Sequence, residues 1–152
     1  MKQKLLVSSC LLGEKVKYNG KDNKLFSNLL DQLSLKYNIV SFCPEVEGGL
    51  LIPRVPCEVI SFNPLKVINK DGDDKTKEFL LGANKTLELC KKENISIALL
   101  KANSPSCSSE YIYDGTFTSS KIKEDGVTVS LLRQYNIKIY DETQIKDLLG
   151  FS

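Results

Sequence analysis

Short apolar runs alternate along this chain with longer segments whose hydrophobic residues return every three or four positions. Lys4–Val7 is a brief β-favouring run that ends in small residues. Between Lys24 and Tyr37 (KLFSNLLDQLSLKY), Leu25, Leu29, Leu30, Leu33 and Leu35 fall close to helical spacing, which predicts a helix. Asn38–Phe42 reads as a second buried strand. The segment CPEVEGGLLIPRVP that follows holds three prolines and two adjacent glycines, a density of breakers that means loop. Loops of that length inside a compact domain are usually functional. Glu58–Phe62 and Lys66–Asn69 read as strands around Asn63-Pro64, forming a hairpin or an extended arm. Lys75–Glu93 is the clearest helix, with Phe79, Leu80, Ala83, Leu87 and Cys90 on one side and Asp74 as its N-cap. Ile95–Lys101 (ISIALLK) is almost wholly apolar, the pattern of a central parallel strand buried on both faces.

Ala102–Tyr113 is a serine-rich loop with Pro105, and Asp114-Gly115 marks a turn. Gly126–Tyr135 then reads as a helix, Ile137–Tyr140 as an edge strand and Glu142–Leu149 as a terminal helix. This alternation predicts an α/β fold, a mostly parallel sheet flanked by helices in a Rossmann-like arrangement, as a single domain over residues 1–152. In open sheets of that kind, ligands bind in the crevice beyond the strand carboxyl ends. Cys10, Cys43 and Cys107 each come just after a predicted strand (KLLVSSC, NIVSFC, SIALLKANSPSC). The topology therefore carries three thiols, far apart in sequence, toward one site.

Composition narrows the chemistry. A chain of 152 residues buries about 68–70% of its unfolded surface and needs no disulfide staples. The 21 basic and 19 acidic residues nearly balance, which argues against a generic nucleic-acid or membrane-surface binder. No stretch approaches the ~18 apolar residues of a membrane span. The N-terminal MKQKLLVSSC mimics a lipoprotein signal, but its apolar run is only Leu5-Leu6-Val7, far below the ~7–15 residues of a signal core. Five cysteines without regular spacing make a poor disulfide framework and suit a reducing cytoplasm.

The chain contains no histidine. That removes Ser-His-Asp triads, Cys-His pairs and HExxH zinc sites, and neither GxxxxGK[ST] nor GxGxxG occurs. Structural zinc favours closely spaced cysteine pairs, and there is no CxxC. Widely separated single thiolates suit a cluster or a catalytic metal held by the tertiary fold, with a ligand position left open. Cys57 and Cys90 read instead as buried apolar thiols, a common state of free cysteine.

The blocks SSCLLG (Ser8–Gly13), KYNG (Lys17–Gly20), FCPEVEGGL (Phe42–Leu50), PRVPCE (Pro53–Glu58), FLLGA (Phe79–Ala83), LKANSPSCSS (Leu100–Ser109), YDGTF (Tyr113–Phe117) and DGVTVSLL (Asp125–Leu132) fall in order over essentially the whole chain. Together they resemble the thiouracil desulfurase family, formerly a domain of unknown function. The resemblance implies a compact α/β domain holding a [4Fe-4S] cluster by three cysteines, matched here by Cys10, Cys43 and Cys107. It implies an active-site role for Glu45 of the CPE block, and a substrate-facing segment containing Ser104 and Ser106, of which Ser104 is the better catalytic candidate. Three positions depart from the family pattern: Val16 stands where a further cysteine is common, Ser108 where glycine usually follows the third cysteine, and Cys57 where a small residue is typical.

The chemistry follows from the donor count. Fully ligated cubanes use four thiolates, so three leave one iron open as a Lewis acid for a soft donor such as a thiocarbonyl sulfur. Water attack on the polarised carbon would give C=O and sulfide without net redox change, so no flavin or nicotinamide is needed. Glu45 would be the general base or acid; the alternative is a solvated or helix-capping carboxylate. Ser104 would hydrogen-bond substrate or water, or cap a turn before Pro105. Ser106 would contact substrate. Lys101 would offset cluster charge or simply snorkel, and Tyr113 and Phe117 would stack on a pyrimidine or pack in the core. Asp114 is a turn residue. Free thiouracil, thionucleosides and thiolated tRNA all present a C=S group, and the near-neutral charge favours a small molecule. A cluster-bearing sensor without turnover, or a zinc- or thiol-based enzyme, are the competing classes. Oligomeric state is not encoded in any of these features.

Overall fold

The computed structural model of the protein describes residues 2–150. Its central sheet has four parallel strands, β1 (Gln3–Ser8), β2 (Tyr37–Phe42), β5 (Ile97–Leu99) and β8 (Lys138–Tyr140), in the order β2-β1-β5-β8. This is the expected α/β sheet, with β8 at an edge. Alternation along β1 explains why both faces are covered. Leu6 joins Leu87, Cys90, Ala98, Val129 and Leu132 on one face, whereas Leu5 and Val7 join Leu33, Tyr37, Leu99, Ile145 and Leu148 on the other. The first face is covered by helices α3 (Thr76–Glu93) and α4 (Val127–Gln134), the second by α1 (Ser27–Lys36) and α5 (Ile145–Leu149). A hairpin of β3 (Cys57–Phe62) and β4 (Leu65–Asn69) turns at Asn63-Pro64 and packs Val59 and Val67 against Phe79 and Ala83 of α3. No helix among the described residues is long and apolar enough to cross a membrane.

The chain passes from β1 to β2 on one side and then crosses to β5 on the other. The switch point between β1 and β5 is where an open parallel sheet forms its ligand crevice. The sequence places Cys10, Cys43 and Cys107 after β1, β2 and β5 respectively, the strands at and beside this point.

Several local expectations are corrected. The first helix starts at Ser27 rather than Lys24 because Asn19 and Asp22 accept amides two residues on, and Leu25 N–H is bonded to Leu11 C=O, which holds the approach in turns. Leu35 on α1 and Leu80 on α3 are exposed rather than on the packed faces. The central strand β5 is shorter than Ile95–Lys101 because Ile95 N–H is bonded to Cys90 C=O at the end of α3. Lys75, not Asp74, is the N-cap of α3, although Asp74 still accepts Thr76 N–H at 2.9 Å. Within the expected loop after Cys43, Pro44–Glu47 winds into a single turn, α2, since proline suits the first helical position and acidic residues suit the first turn. The serine-rich loop ends in a strand, β6 (Tyr111–Tyr113), paired antiparallel with β7 (Lys121–Lys123). Three-residue strands are too short for alternation to announce them.

Two backbone contacts set the site-bearing segments in place. A Cβ on Gly82 of α3 would lie 2.0 Å from Pro44 O, and one on Gly48 would lie 2.0 Å from Glu78 O, so the turn carrying Glu45 sits directly on the α3 backbone. A Cβ on Gly126 would lie 2.5 Å from the carbonyl carbon of Ser106. The first amides of α4, with Gly126 N–H, are taken by the carbonyls of Pro105, Ser106 and Ser108. The loop holding Cys107 is thereby clamped to a helix N-terminus.

Candidate active site

Cys10 lies in the helical turn Ser9–Leu12 that follows β1, Cys43 is the N-cap residue of α2 after β2, and Cys107 lies in the loop after β5. All three line one cavity of about 490 Å³, together with Glu45, Lys101, Ser104, Ser106 and Tyr113. The structure thus brings together every residue that the sequence nominated. It also adds Asn23, Arg54, Glu58 and Cys57, to which the sequence reading gave no role at the site.

All five cysteines are free. Burial pushes the Cys43 thiol up to about 11 and the Cys107 thiol up to about 12, and the Cys43 sulfur adds to the shift at Cys107. Burial also raises Cys10, against the lowering effect of a hydrogen bond from Asn23 and the Lys101 cation. Metal binding to such thiols must displace their protons. Three thiols form a soft donor set suited to iron–sulfur centres, zinc or copper(I). Among the described residues, no three His, Cys, Asp or Glu side chains close around a single-ion position.

Glu45 is divided between two sets of partners. Its Oε1 accepts from Arg54 Nη2 at 3.2 Å and Nε at 3.4 Å. Its Oε2 accepts from Ser106 Oγ at 2.9 Å and Ser104 Oγ at 3.4 Å. Arg54 is itself anchored, donating to Leu51 O and Val16 O, each at 3.1 Å. Val16, where the family pattern often has cysteine, therefore contributes its carbonyl. Arg54 was legible only as part of the PRVPCE block, because a lone arginine carries no spacing signal.

Ser104 also shows the capping behaviour weighed for it: Oγ accepts the N–H of Ser106 at 3.2 Å and of Cys107 at 3.1 Å. Ser106 Oγ is 3.6 Å from Cys107 Sγ. Lys101 reaches the cavity wall, but its ammonium is paired with Glu142 at 2.7 Å and donates to Ala102 O. Ser108 is buried, and its hydroxyl donates to Tyr111 O, so this departure from glycine is satisfied and ties the Cys107 loop to β6. Asp114 accepts from Thr116 N–H and Oγ1 in a turn, as expected. Cys90 is a core thiol as expected, whereas Cys57 is only half-buried and faces the cavity. The fully buried reading of Cys57 fails because it begins β3 at the cavity rim, with its thiol turned to Val55 O at 3.7 Å.

Known proteins resemble this chain over most of its length. The model of the 2-thiouracil desulfurase family matches residues 5–144. An uncharacterized protein of Bacillus subtilis (strain 168), YbbK, is 39% identical over 152 residues, covering 95% of this chain and 99% of that one. The solved structure of TudS, a [4Fe-4S]-dependent thiouracil desulfidase, superposes with a TM-score of 0.91 at 42% identity, covering 97% of this chain and 95% of that one. With thiols, carboxylate and serines at the sheet's switch point and a family match over nearly its full length, the chain belongs to the 2-thiouracil desulfurase family.

Proposed function

We propose that this protein is a [4Fe-4S]-dependent desulfidase that converts the C=S group of a thiolated pyrimidine to C=O and releases sulfide. The observation that carries this reading is the arrival of Cys10, Cys43 and Cys107 at one cavity beside Glu45, Ser104 and Ser106. Membership of the family and the activity named for TudS support it. The donor set fits a cluster, since each thiolate of a cubane binds a different iron and the three need not close around one ion. Held by Cys10, Cys43 and Cys107, the cluster would supply an iron without a protein thiolate, a Lewis acid able to polarise a thiocarbonyl.

The chain's own residues supply the proton handling. Arg54 fixes Oε1 of Glu45, which leaves Oε2 as the acceptor for a proton from the attacking water. The same oxygen then returns that proton to the departing sulfur. Ser106 and Ser104, both hydrogen-bonded to Oε2, orient the carboxylate and offer hydroxyls to substrate or water. Tyr113 provides an aromatic wall, and Lys101 with Glu142 forms a charged pair at the rim. Water contributes one oxygen to the product and two protons to the sulfide, so no electron carrier is consumed. A cavity of about 490 Å³ suits a small thiolated base or nucleoside better than an intact tRNA. Five free thiols are in keeping with a cytoplasmic setting.

The test is anaerobic cluster reconstitution, iron counting and sulfide release from 2-thiouracil. Roughly four irons per chain with sulfide release is the expected result. A Glu45→Ala variant should keep its iron and lose turnover by about 10²–10⁴-fold. Iron uptake without sulfide release from any thiolated pyrimidine would leave a cluster-bearing sensor, and folded protein that takes up no iron would overturn the cluster.

A further inference from the structure

Glu58 is a buried carboxylate with no ion-pair partner among the described residues. A buried charge needs strong hydrogen bonds, and Glu58 finds them in one loop. Its Oε1 accepts Gly115 N–H at 2.9 Å and Phe117 N–H at 3.2 Å. That loop runs between β6 and β7 and is unusual in its backbone. Gly115, Phe117 and Ser119 all have positive φ, at 93°, 59° and 65°. Glycine at 115 is required twice over, by its φ and because a Cβ would lie 2.8 Å from Val59 O. Phenylalanine gains nothing from a left-handed conformation, and bulky residues are genuine outliers there. Such strain persists only where the surroundings over-determine it, and it concentrates at functional sites. Here the surroundings are visible: the Glu58 carboxylate from below, and the Asp114–Thr116 turn with Asp114 N–H bonded to Ser120 O at the loop's neck. Tyr113, Phe117, Ser119 and Glu58 all line the cavity that holds Glu45 and the three cysteines.

We infer that the Tyr113–Ser119 loop is a preset substrate wall, that Phe117 is a specificity residue for a flat heteroaromatic ring, and that Glu58 is the positioning residue that holds Phe117 against the cavity. The inference rests on the desulfidase reading for its substrate but reaches Phe117 and Glu58, which that reading does not use. A ring presented in advance binds a planar base without an ordering cost, which is the benefit of preorganisation. Glu58 contributes through the two amides and makes no contact with the reacting atoms, so its loss should appear in binding and not in the chemical step.

The experiment measures calorimetric binding of uracil, the desulfurated ring, to cluster-loaded protein, and in parallel kcat and KM for sulfide release from 2-thiouracil. Phe117→Ala should weaken uracil binding about tenfold or more. Glu58→Ala should weaken it about tenfold, raise KM in proportion and leave kcat within about twofold, with iron content unchanged. Glu58→Gln keeps an oxygen for both amides and should restore binding to near the wild-type value. Equal uracil affinity in wild type and Phe117→Ala would overturn the inference, and that variant carries the test even if Glu58→Ala fails to fold. A Glu58→Gln variant as weak as Glu58→Ala would overturn the positioning role. Wild-type protein that binds uracil yet releases no sulfide would count against the desulfidase reading alone, leaving the wall to be judged by the binding arm.

Discussion

Arg54 Nη2 lies 3.2 Å from Glu45 Oε1, and only 9% of the arginine side chain and 16% of the glutamate side chain remain exposed. The pair is therefore sheltered from the screening that makes surface ion pairs nearly worthless. Arg54 also donates through Nη2 to Val16 O and through Nη1 to Leu51 O, which anchors the guanidinium independently of Glu45. The result is a carboxylate with one oxygen immobilised and the other turned to the serines.

This geometry makes Arg54 a positioning residue for Glu45. Arg54→Ala should lower kcat for sulfide release by roughly 10–100-fold, a smaller loss than removing the acid–base group itself. Arg54→Lys keeps the charge but loses the planar fork that reaches Glu45 and two carbonyls together, so it should recover only part of the rate. Steady-state kinetics with iron content measured on each preparation checks this; an Arg54→Ala enzyme with full kcat and full iron would remove Arg54 from the site.

The contact between Gly82 and Pro44 O decides the sign of a second substitution. Within α3 alone, glycine to alanine should stabilise by about 1 kcal/mol through helix propensity. A Cβ 2.0 Å from a backbone oxygen reverses that, since α2 would have to shift and overpacking costs typically 1–3 kcal/mol. Gly82→Ala should therefore lower the midpoint of thermal unfolding and, because α2 carries Glu45 and begins at Cys43, reduce iron retention. Gly72→Ala, at a surface turn where nothing lies within 4 Å, should leave iron retention unchanged.

Those contacts also show what could be read from the sequence. The strand–helix alternation around β1, β2 and β5 was legible because buried parallel strands write continuous apolar runs, and it led to the three cysteines by topology alone. The chemistry of Glu45 came with the block that holds Cys43. The roles of Arg54 and Glu58 were not legible, because each acts on a partner that is distant or that only the fold makes a neighbour: Arg54 on Glu45 across α2, Glu58 on amides 57 and 59 positions away. The strands β6 and β7 escaped notice for the same reason. Their three-residue lengths carry no periodicity, and the loop they support is defined by left-handed residues, two of them non-glycine, that composition does not reveal.

Cys90 offers a contrast with the three site cysteines. It packs with Leu6, Leu87 and Ala98 in the core, and burial alone lifts its thiol to about 11. Its thiolate fraction at pH 8 is thus about one in a thousand, and it should resist alkylation in the native protein. The unfolded thiol titrates near ~8.5. Between that pH and about 11 the unfolded chain loses a proton that the folded chain keeps. Cys90 therefore lowers stability as pH rises, by up to about 1.4 kcal/mol per pH unit. In denaturant titrations from pH 8 to 10, Cys90→Ala should show a shallower loss of stability than the wild type while taking up the same iron. Identical slopes would show that the Cys90 thiol does not carry the pH dependence.

The two serines should separate by counting donors and acceptors. Ser104 Oγ accepts two amides, from Ser106 and Cys107, so its lone pairs are filled and its proton is left for Ser106 Oγ at 3.1 Å or Glu45 Oε2 at 3.4 Å. Ser106 donates directly to Glu45 Oε2 at 2.9 Å. Removing the Ser104 hydroxyl leaves two amides beside Cys107 without their acceptor, which costs about 1–3 kcal/mol for each that water cannot reach. Ser104→Ala should therefore unfold earlier and hold iron less well. Removing the Ser106 hydroxyl strips Glu45 Oε2 of its shorter bond but leaves the Cys107 backbone intact, so Ser106→Ala should keep its iron and lose rate, by roughly tenfold for one hydrogen bond to a charged group. Iron-to-protein ratios and sulfide-release rates measured on both variants check the split. Equal iron loss in the two would mean that the serines act together on the Cys107 loop, and the proposed orienting role of Ser106 at Glu45 would fall.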